Sequence, residues 1–309
     1  MKTSINYFLV LCISLQAFSQ EKTQELDSIV INSTRISLPF KKNSRTINII
    51  TAKDIRGGGF DQTLLLIDGI KMDDAQTGHH TMNAALPIEV IERIEIIKGP
   101  AARIFGQNAF TGAINIVTKK RLNNKVSINV EAGSFGQLNG SVTLGKETKN
   151  SSIIAHVGAL TSDGYRNNSD YNNQNYFLKG TFNKKKQPIE VIATFFDKKF
   201  GAENFYTTNV TFNEYEETQN SLLGVSTTFK SNKFNVTPRI YWRRGQDMFL
   251  LRRDDPGFYR NFHITNKIGV ETNASYTSDI GITGFGVDFS RFSIQSNNLG
   301  GKFFLRAPF

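Results

Sequence analysis

Apolar and polar residues alternate along several segments in the second half of the chain. The clearest apolar sets are Val126, Ile128 and Val130; Phe234, Val236, Ile240 and Trp242; Ile268, Val270, Thr272, Ala274 and Tyr276; and Phe285, Val287 and Phe289. Because successive side chains of a strand point to opposite faces, this period of two residues predicts strands with one apolar and one polar face. Less regular candidates, which bring the total to about nine strands, are residues 137–144, 151–160, 176–183, 189–196 and 221–229.

The connections between these strands alternate in length. Short ones lie near residues 145–150, 184–188, 231–233 and 277–283. Long ones, rich in polar and aromatic residues, lie near 161–175, 197–220 and 243–262. A soluble β-sandwich also has alternating strands, but short turns at one end and long loops at the other are typical of an outer-membrane barrel. The pattern therefore favours a transmembrane barrel, in which only the loop near residues 133–136 is short.

Residues 45–119 follow a different pattern, with short β-rich runs separated by glycines. The motifs, in order, are Arg56-Gly57-Gly58, Leu66-Ile67-Asp68-Gly69, Ile91-Glu92-Arg93-Ile94-Glu95, Lys98-Gly99-Pro100, Phe105-Gly106 and Gly112-Ala113-Ile114-Asn115-Ile116-Val117-Thr118. The sequences and the spacing of these motifs resemble those of the plug domain of TonB-dependent outer-membrane receptors. The resemblance implies a mainly β protein, in which a small mixed α/β plug precedes an antiparallel transmembrane β-barrel.

Four segments are expected on this basis: a signal peptide at 1–19, a periplasmic segment at 20–44, the plug at 45–119 and barrel strands at 120–309. The signal is indicated by Lys2, the apolar run 7–15 and the small-x-small site Ala17-Phe18-Ser19. A buried N-terminal helix is the alternative. The chain has one cysteine, Cys12, so cleavage would leave no disulfide, and the expected location is the outer membrane.

The residues after the plug suffice for about nine or ten strands, whereas barrels that hold a plug have about 22. We therefore expect an incomplete barrel with a C-terminal truncation. The family's plug is also longer between Ile55 and Arg56, which indicates either an internal deletion or a sequence-assembly fault at that junction. A non-functional remnant of a receptor is accordingly an alternative to a working transporter.

The resemblance implies energised uptake of a scarce ligand, either a siderophore-iron complex or cobalamin. A passive porin or adhesin would lack the plug. An enzyme is not expected, because no catalytic arrangement with recognisable spacing is apparent among only four histidines, and no cofactor is predicted. The net charge of +10 is dispersed along the chain, so nucleic acid is not expected as a partner.

The partners implied by the family are the periplasmic energy transducer TonB, outer-membrane lipid and lipopolysaccharide, the ligand, and in some cases a surface lipoprotein co-receptor. The segment Asp27, Ser28, Ile29, Val30 and Ile31 resembles a TonB box. Such a box is a β-prone strip that can pair with an edge strand of its partner.

Two plug loops are predicted to face the ligand. The predicted contacts are Asp73, Asp74, Gln76, Thr77, His79, His80, Asn83, Gln107 and Asn108. A metal site at His79 and His80 is not expected, because neighbouring side chains tend to point apart and a site needs three or four converging ligands. Residues 161–175 contain Asp163 and Asp170, but their spacing does not match a calcium loop.

Four charged residues are predicted to join the plug to the barrel wall: Arg56, Glu92, Arg93 and Glu95. The resemblance implies that such contacts hold the plug and loosen when TonB pulls. The alternative is that they form local surface pairs of little energetic weight.

Overall fold

The computed structural model describes residues 62–76, 86–98, 105–106, 108–123, 125–207 and 212–306, and the backbone of short strands at 30–31, 38–39 and 47–49. The predicted signal peptide, the junction at 55/56 and Arg56 lie outside the described residues. So do Asp27, Ser28 and Ile29 of the predicted TonB box, and Thr77, His79, His80, Asn83 and Gln107 of the predicted ligand loops.

The first part of the chain forms short strands. They are β1 (Val30–Ile31), β2 (Leu38–Pro39), β3 (Ile47–Ile49), β4 (Thr63–Ile67), β5 (Ile70–Lys71), β6 (Ile91–Lys98) and β7 (Gly112–Thr118), with one turn of 3-10 helix at Ile88–Val90. Strands β1 and β2 pair with each other. The other five form one sheet in the order β3-β6-β7-β4-β5, in which β4 and β7 are parallel. This sheet lies within the predicted plug segment, and we call it the plug. Residues 50–61, which precede β4, lie outside the described residues.

The second part of the chain forms one large antiparallel sheet. Its strands are β8 (Val126–Ala132), β9 (Leu138–Glu147), β10 (Ser152–Ser162), β11 (Tyr171–Phe182), β12 (Ile189–Gly201), β13 (Tyr215–Thr227), β14 (Phe229–Lys230), β15 (Phe234–Leu250), β16 (Arg260–Ser278), β17 (Gly281–Ser296) and β18 (Gly300–Arg306). Apart from the two-residue β14, each strand pairs with the one before and the one after it, so the sheet is a simple up-and-down meander. The mainly β fold and the incomplete barrel are both confirmed.

The two ends of the large sheet differ as the sequence predicted. The turn end carries connections 148–151, 183–188, 231–233 and 279–280. The loop end carries 133–137, 163–170, 202–214, 251–259 and 297–299. Several strands extend further than predicted at the loop end, so the loops are shorter than their polar composition suggested. Residues 171–175, for example, belong to β11 and pair fully with β10.

The two faces of the large sheet have opposite character. The apolar residues of the alternating pattern lie on the outer face, where Val126, Ile128 and Val130 are 65, 70 and 77% exposed. The inner face carries the buried polar residues, among them Lys179 and Lys267. An apolar outer band with a polar interior is the arrangement of a membrane barrel.

Within the described part of the chain, no helix is long and apolar enough to cross a membrane.

The plug packs against the inner face through an apolar core. Plug residues Leu65, Ile67, Ile70, Met72, Val90, Ile96 and Ile114 form one buried cluster with Ile154, Phe177, Ile192, Leu222 and Tyr241 of five strands of the large sheet. The approach is close at Gly224 in β13, where a Cβ atom would lie 2.9 Å from Cδ1 of Ile70. The glycine therefore lets the β4–β5 hairpin lie directly on the wall.

Candidate functional site

The tip of the β4–β5 hairpin is a tight turn formed by Asp68 and Gly69. Both have positive φ angles, 48° and 83°. An Asp-Gly pair suits such a two-residue turn, because aspartate tolerates the left-handed region and glycine adopts it freely. The turn directs the Asp68 side chain toward the end of β7, where its carboxylate accepts hydrogen bonds from the backbone N–H and the hydroxyl of Thr118, at 2.9 and 2.6 Å.

Asp68 also forms a buried ion pair with the barrel wall. Nζ of Lys179, in β11, lies 2.8 Å from Oδ2 of Asp68 and 2.8 Å from Oγ1 of Thr118. Burial alone would raise the pKa of Asp68, but the Lys179 ammonium and the Thr118 hydrogen bonds outweigh it and hold the pKa below its usual value. The Asp68 carboxylate is therefore kept ionised against Lys179.

A second barrel cation holds the backbone of the same turn. Nη2 of Arg239, in β15, donates to the carbonyl oxygen of Asp68 at 3.0 Å. Its Nη1 is paired with Glu271 on the neighbouring strand β16. Glu271 fixes the guanidinium of Arg239 in place. The hairpin tip is therefore held at two points, the Asp68 side chain by Lys179 and the Asp68 backbone by Arg239.

The chain after β5 is held by two further cations. Lys267, in β16, forms a buried ion pair with the carboxylate of Asp73. Arg243, in β15, donates from Nη1 to the carbonyl oxygens of Asp73 and Lys71, at 2.6 and 3.1 Å. Because Asp73 is only 4% exposed, its charge is neutralised by protein groups and not by water.

Two more contacts complete the interface. Thr265 of β16 donates its hydroxyl to Oδ2 of Asp74 at 2.9 Å. Nζ of Lys71 lies 3.3 Å from Oδ2 of Asp288 in β17. We call Lys179, Arg239, Arg243 and Lys267 the basic wall. It meets an acidic stretch of the plug, residues 68–74, with complementary charge.

The predicted plug–barrel charges lie elsewhere in the plug. Arg93 pairs with Glu92 and Glu95, each at 2.7 Å. Glu95 is fully buried and also accepts a hydrogen bond from Nδ2 of Asn115 at 3.1 Å. Arg93 thus pairs with two neighbours on its own strand, and Glu95 joins β6 to β7 inside the plug.

The structure places three of the predicted ligand residues at or near the barrel wall. Asp73 and Asp74 are bonded to it as described above, and Oδ1 of Asp74 also accepts from the backbone N–H of Gln76 at 2.8 Å. Asn108 has a φ of 68° and lies in the turn before β7. Their role in ligand contact stays a prediction.

The loop end of the inner face is acidic. Glu216 and Asp247 are buried there, and Glu214 is buried at the end of the adjoining loop 202–214. We call these three residues the acidic wall. The hydroxyl of Tyr206 donates to Oε2 of Glu216 at 2.9 Å. Burial and the nearby carboxylates, Glu216 first, raise the pKa of Tyr206, so its hydroxyl remains a donor throughout the physiological range.

Glu214 fastens the loops above the acidic wall. Its Oε2 accepts from the backbone N–H groups of Phe205 and Tyr206, at 3.1 and 3.0 Å. Its carbonyl oxygen accepts from Nδ2 of Asn168 in the neighbouring loop at 2.6 Å. A third loop joins through Arg253, whose Nη1 donates to Asp170 at 2.7 Å. Loops 163–170, 202–214 and 251–259 are thus one bonded assembly.

Sequence reasoning missed the basic wall. Each of its residues is a single inward-facing cation within a strand, and such a position has no local signature. The only available signal was the alternation itself, which places these residues on the polar face. Within the described part of the chain, no group of three or more His, Cys, Asp or Glu residues is placed to hold a metal ion.

Comparison with known proteins agrees with this arrangement. The model of the TonB-dependent Receptor Plug Domain family matches residues 10–113. The iron-regulated outer membrane virulence protein of Vibrio cholerae is 26% identical over 154 residues, which cover 38% of this chain and 24% of that protein. The vitamin B12 transporter BtuB of Vibrio vulnificus is 30% identical over 107 residues, or 34% of this chain and 17% of that protein.

Solved receptor structures share the fold. The open form of the ferric-catecholate import receptor Fiu of E. coli matches with a TM-score of 0.66 at 14% identity, covering 84% of this chain and 51% of that one. The siderophore receptor PirA of Pseudomonas aeruginosa matches with a TM-score of 0.60 at 17% identity, covering 81% and 44%. The chain thus spans about half the length of these receptors. Residues 10–113 thus match the plug family of TonB-dependent receptors, and the chain as a whole shares the fold of these outer-membrane receptors.

Proposed function

We propose that this chain serves TonB-dependent uptake of a siderophore-iron complex or cobalamin across the outer membrane. The observation that supports the proposal is the set of ion pairs and hydrogen bonds by which the basic wall binds plug residues 68–74. A plug held by buried ion pairs closes the barrel at rest, and energy is needed to release it. A passive porin or adhesin does not need a plug that is held by buried ion pairs.

The force would come from TonB. Residues 27–31 would pair in the periplasm with an edge strand of TonB, as β-prone strips do. Pulling on this segment would load the plug sheet. Separating a buried ion pair leaves an uncompensated charge, which costs about 3–5 kcal/mol per pair. Release of the plug would therefore need an external energy source, as the proposed coupling supplies.

The outer membrane is the proposed location, with the exposed apolar face of the large sheet against lipid and the loop end toward lipopolysaccharide. The proposed ligand contacts remain Asp73, Asp74, Gln76, Thr77, His79, His80, Asn83, Gln107 and Asn108. A surface lipoprotein co-receptor would sit on the loop end. We propose transport as the role and no catalysis.

A disulfide between plug and wall tests the proposal. A Cβ atom at Gly245 would lie 3.3 Å from Oδ2 of Asp74, so Asp74→Cys and Gly245→Cys come within reach of each other. Thr265, which loses its hydrogen bond to Asp74 in this variant, can turn away from the new Cβ. The only native cysteine is Cys12, so Cys12→Ser gives a clean background.

Uptake of labelled cobalamin and of ferric siderophores is measured in cells that lack their own receptors for them, with and without TonB. We expect uptake only with TonB, its loss in the oxidised double-cysteine variant, and its return on reduction. Each single-cysteine variant is the control. Equal uptake without TonB, or uptake unaffected by the cross-link, would contradict the proposal, and so would no uptake of either ligand class.

A further inference from the structure

Exposed cations are concentrated at the turn end of the large sheet, around strands β8 to β12. They lie on the link 119–125, at the end of β9, and on the turns 148–151 and 183–188. The link belongs to this end, because the backbone N–H groups of Lys125 and Gly145 each donate to the other's carbonyl oxygen, at 3.1 and 2.7 Å. Six of these cations are exposed, and we call them the basic rim: Arg121, Lys125, Lys146, Lys149, Lys185 and Lys186.

The basic rim carries a surplus of positive charge. Two described carboxylates lie in this part of the turn end, and each is already paired with a lysine outside the rim. Glu147 pairs with Lys184 at 3.0 Å. Glu190 pairs with Lys120 at 3.1 Å. Among the described residues, no carboxylate forms an ion pair with the rim. Cations that are dispersed along the chain are therefore gathered in space at one end of the sheet.

The basic rim directly borders the apolar outer face of the sheet. Lys146 lies opposite the exposed Ile153 of the neighbouring strand. The turn 183–188, with two rim lysines, joins Phe182 to Ile189, which pair with each other and are both exposed. An apolar face that ends in a row of cations suits a membrane interface, because apolar side chains meet acyl chains there and lysine stems carry the ammonium toward the headgroups.

We infer that the basic rim binds the phosphate groups of anionic phospholipids in the membrane leaflet on the turn-end side. The inference rests on the proposed membrane location and goes beyond it by assigning a lipid class to one end of the sheet. Ammonium and guanidinium groups both donate charge-assisted hydrogen bonds to phosphate oxygens. Strands β8 and β12 are four interstrand spacings apart, or about 19 Å, so the rim suits a surface of headgroups better than one small anion.

Brominated lipids test the inference, because bromine on an acyl chain quenches tryptophan fluorescence only at close range. The chain has one tryptophan, so Trp242→Phe gives a dark background. Phe182→Trp then supplies a turn-end reporter beside the rim, and Leu138→Trp supplies a loop-end reporter at another exposed apolar position. The purified full chain is reconstituted in vesicles of equal parts phosphatidylglycerol and phosphatidylethanolamine, with the bromine on one lipid or on the other.

We expect brominated phosphatidylglycerol to quench the turn-end reporter severalfold more than brominated phosphatidylethanolamine does, and both lipids to quench the loop-end reporter equally. Lys146→Gln combined with Lys186→Gln should remove most of this preference, because each lost cation weakens the attraction to an anionic surface. Arg166→Gln combined with Arg260→Gln removes two exposed cations of the loop end and is the matched control, which should leave the turn-end reporter unchanged.

Raising the salt concentration should also reduce the preference, because exposed charges are screened. This measurement needs no substitution in the rim, so it decides the matter if the double variant fails to insert.

Three outcomes would overturn the inference alone. Equal quenching of the turn-end reporter by the two lipids would leave the cations to solvent or to an acidic protein partner. The same preference at the loop-end reporter would show that it does not belong to the rim. Loss of the preference in inorganic phosphate, but not in chloride of matched ionic strength, would make the rim a site for free phosphate.

Quenching by neither lipid would show that the chain does not lie in the bilayer, and the inference would then fail together with the proposed location. The experiment needs neither TonB nor an imported ligand. Failed uptake alongside a clear lipid preference would therefore count against the proposed transport and not against the basic rim.

Discussion

The basic wall and the acidic wall occupy the same inner face of one sheet but bind different partners. Lys179, Arg239, Arg243 and Lys267 hold the plug, through two carboxylates and three backbone carbonyls of residues 68–73. Glu214 and Glu216 hold loop 202–214 through backbone N–H groups and the hydroxyl of Tyr206. The plug and the loops are therefore attached to the wall by separate sets of contacts.

Because the two sets of contacts are separate, we expect the plug contacts to be weakened without a change in the loop contacts. The pairs that fix the plug involve residues of β11, β15 and β16, whereas the loop contacts centre on the start of β13. The free-energy changes caused by substitutions are expected to be additive for sites that share no partners. Variants of one wall should therefore leave the other wall intact, and three measurements test this.

The largest effect is expected for Asp73→Asn. The change leaves Lys267 and Arg243 buried beside a neutral amide, so plug docking should lose about 3–5 kcal/mol. The loss is measured by titrating the purified protein with urea and monitoring, at each urea concentration, whether trypsin cleaves the plug. Hydrogen exchange of loop 202–214 should stay unchanged.

Two controls sharpen this result. Asp254→Asn, which changes an exposed carboxylate paired with Arg252 of the same loop, should leave the plug protected as in the native protein. Adding Lys267→Met to Asp73→Asn should recover part of the loss, because one buried ammonium no longer lacks its counterion. A plug that stays protected in Asp73→Asn would show that the basic wall does not hold it.

An intermediate effect is expected from pH. The pKa of Asp68 is lowered in the folded protein, so its contribution to plug docking is present above the unfolded value of about 3.9 and is lost as the pH falls through the folded value. Asp68→Asn lacks this contribution at every pH. The difference in urea midpoint between native protein and this variant should thus be constant near pH 7 and shrink toward zero in strong acid. A difference independent of pH would contradict an ionised Asp68.

The smallest effect is expected for Tyr206→Phe. The variant loses the hydrogen bond to Glu216, and because Tyr206 is 44% exposed the loss should be about 1 kcal/mol. The backbone N–H groups of Phe205 and Tyr206 should then exchange with deuterium about fivefold faster. Tyr165→Phe, on the neighbouring loop and 66% exposed, is the matched control. Faster exchange in the plug of Tyr206→Phe would break the proposed separation.

The fold was largely predictable, because alternation of apolar and polar residues along the chain indicates strands of a sheet with one apolar face. Phe285, Val287 and Phe289 fall within β17 and are exposed on the outer face, as the pattern indicated. The strand ends were not predictable in the same way. Residues 243–250 read as a polar loop but belong to β15, and two of their charged residues, Arg243 and Asp247, are buried on the inner face.

The candidate site was predictable only in part. Asp73 and Asp74 stood out as polar residues of a loop, but their barrel partners lie 194 and 191 residues further along the chain. No local pattern connects residues at such separations. Glu92, Arg93 and Glu95 were selected as charges of a recognisable motif, and the structure pairs Arg93 with the other two. Arg93 and Glu95 are alternate residues of β6 and so share one face.

The order of strands in the plug sets how it would respond to mechanical load. Strand β7 lies at the centre of the plug sheet, and only residues 119–125 separate it from β8, the first strand of the large sheet. Strand β3 lies at the edge and on the N-terminal side. A pull from the N-terminus would peel β3 from β6 one hydrogen bond at a time, while the short link keeps β7 tethered to the wall. The plug would thus unzip from its edge, and β7 would remain as the template on which it re-forms when the tension ends.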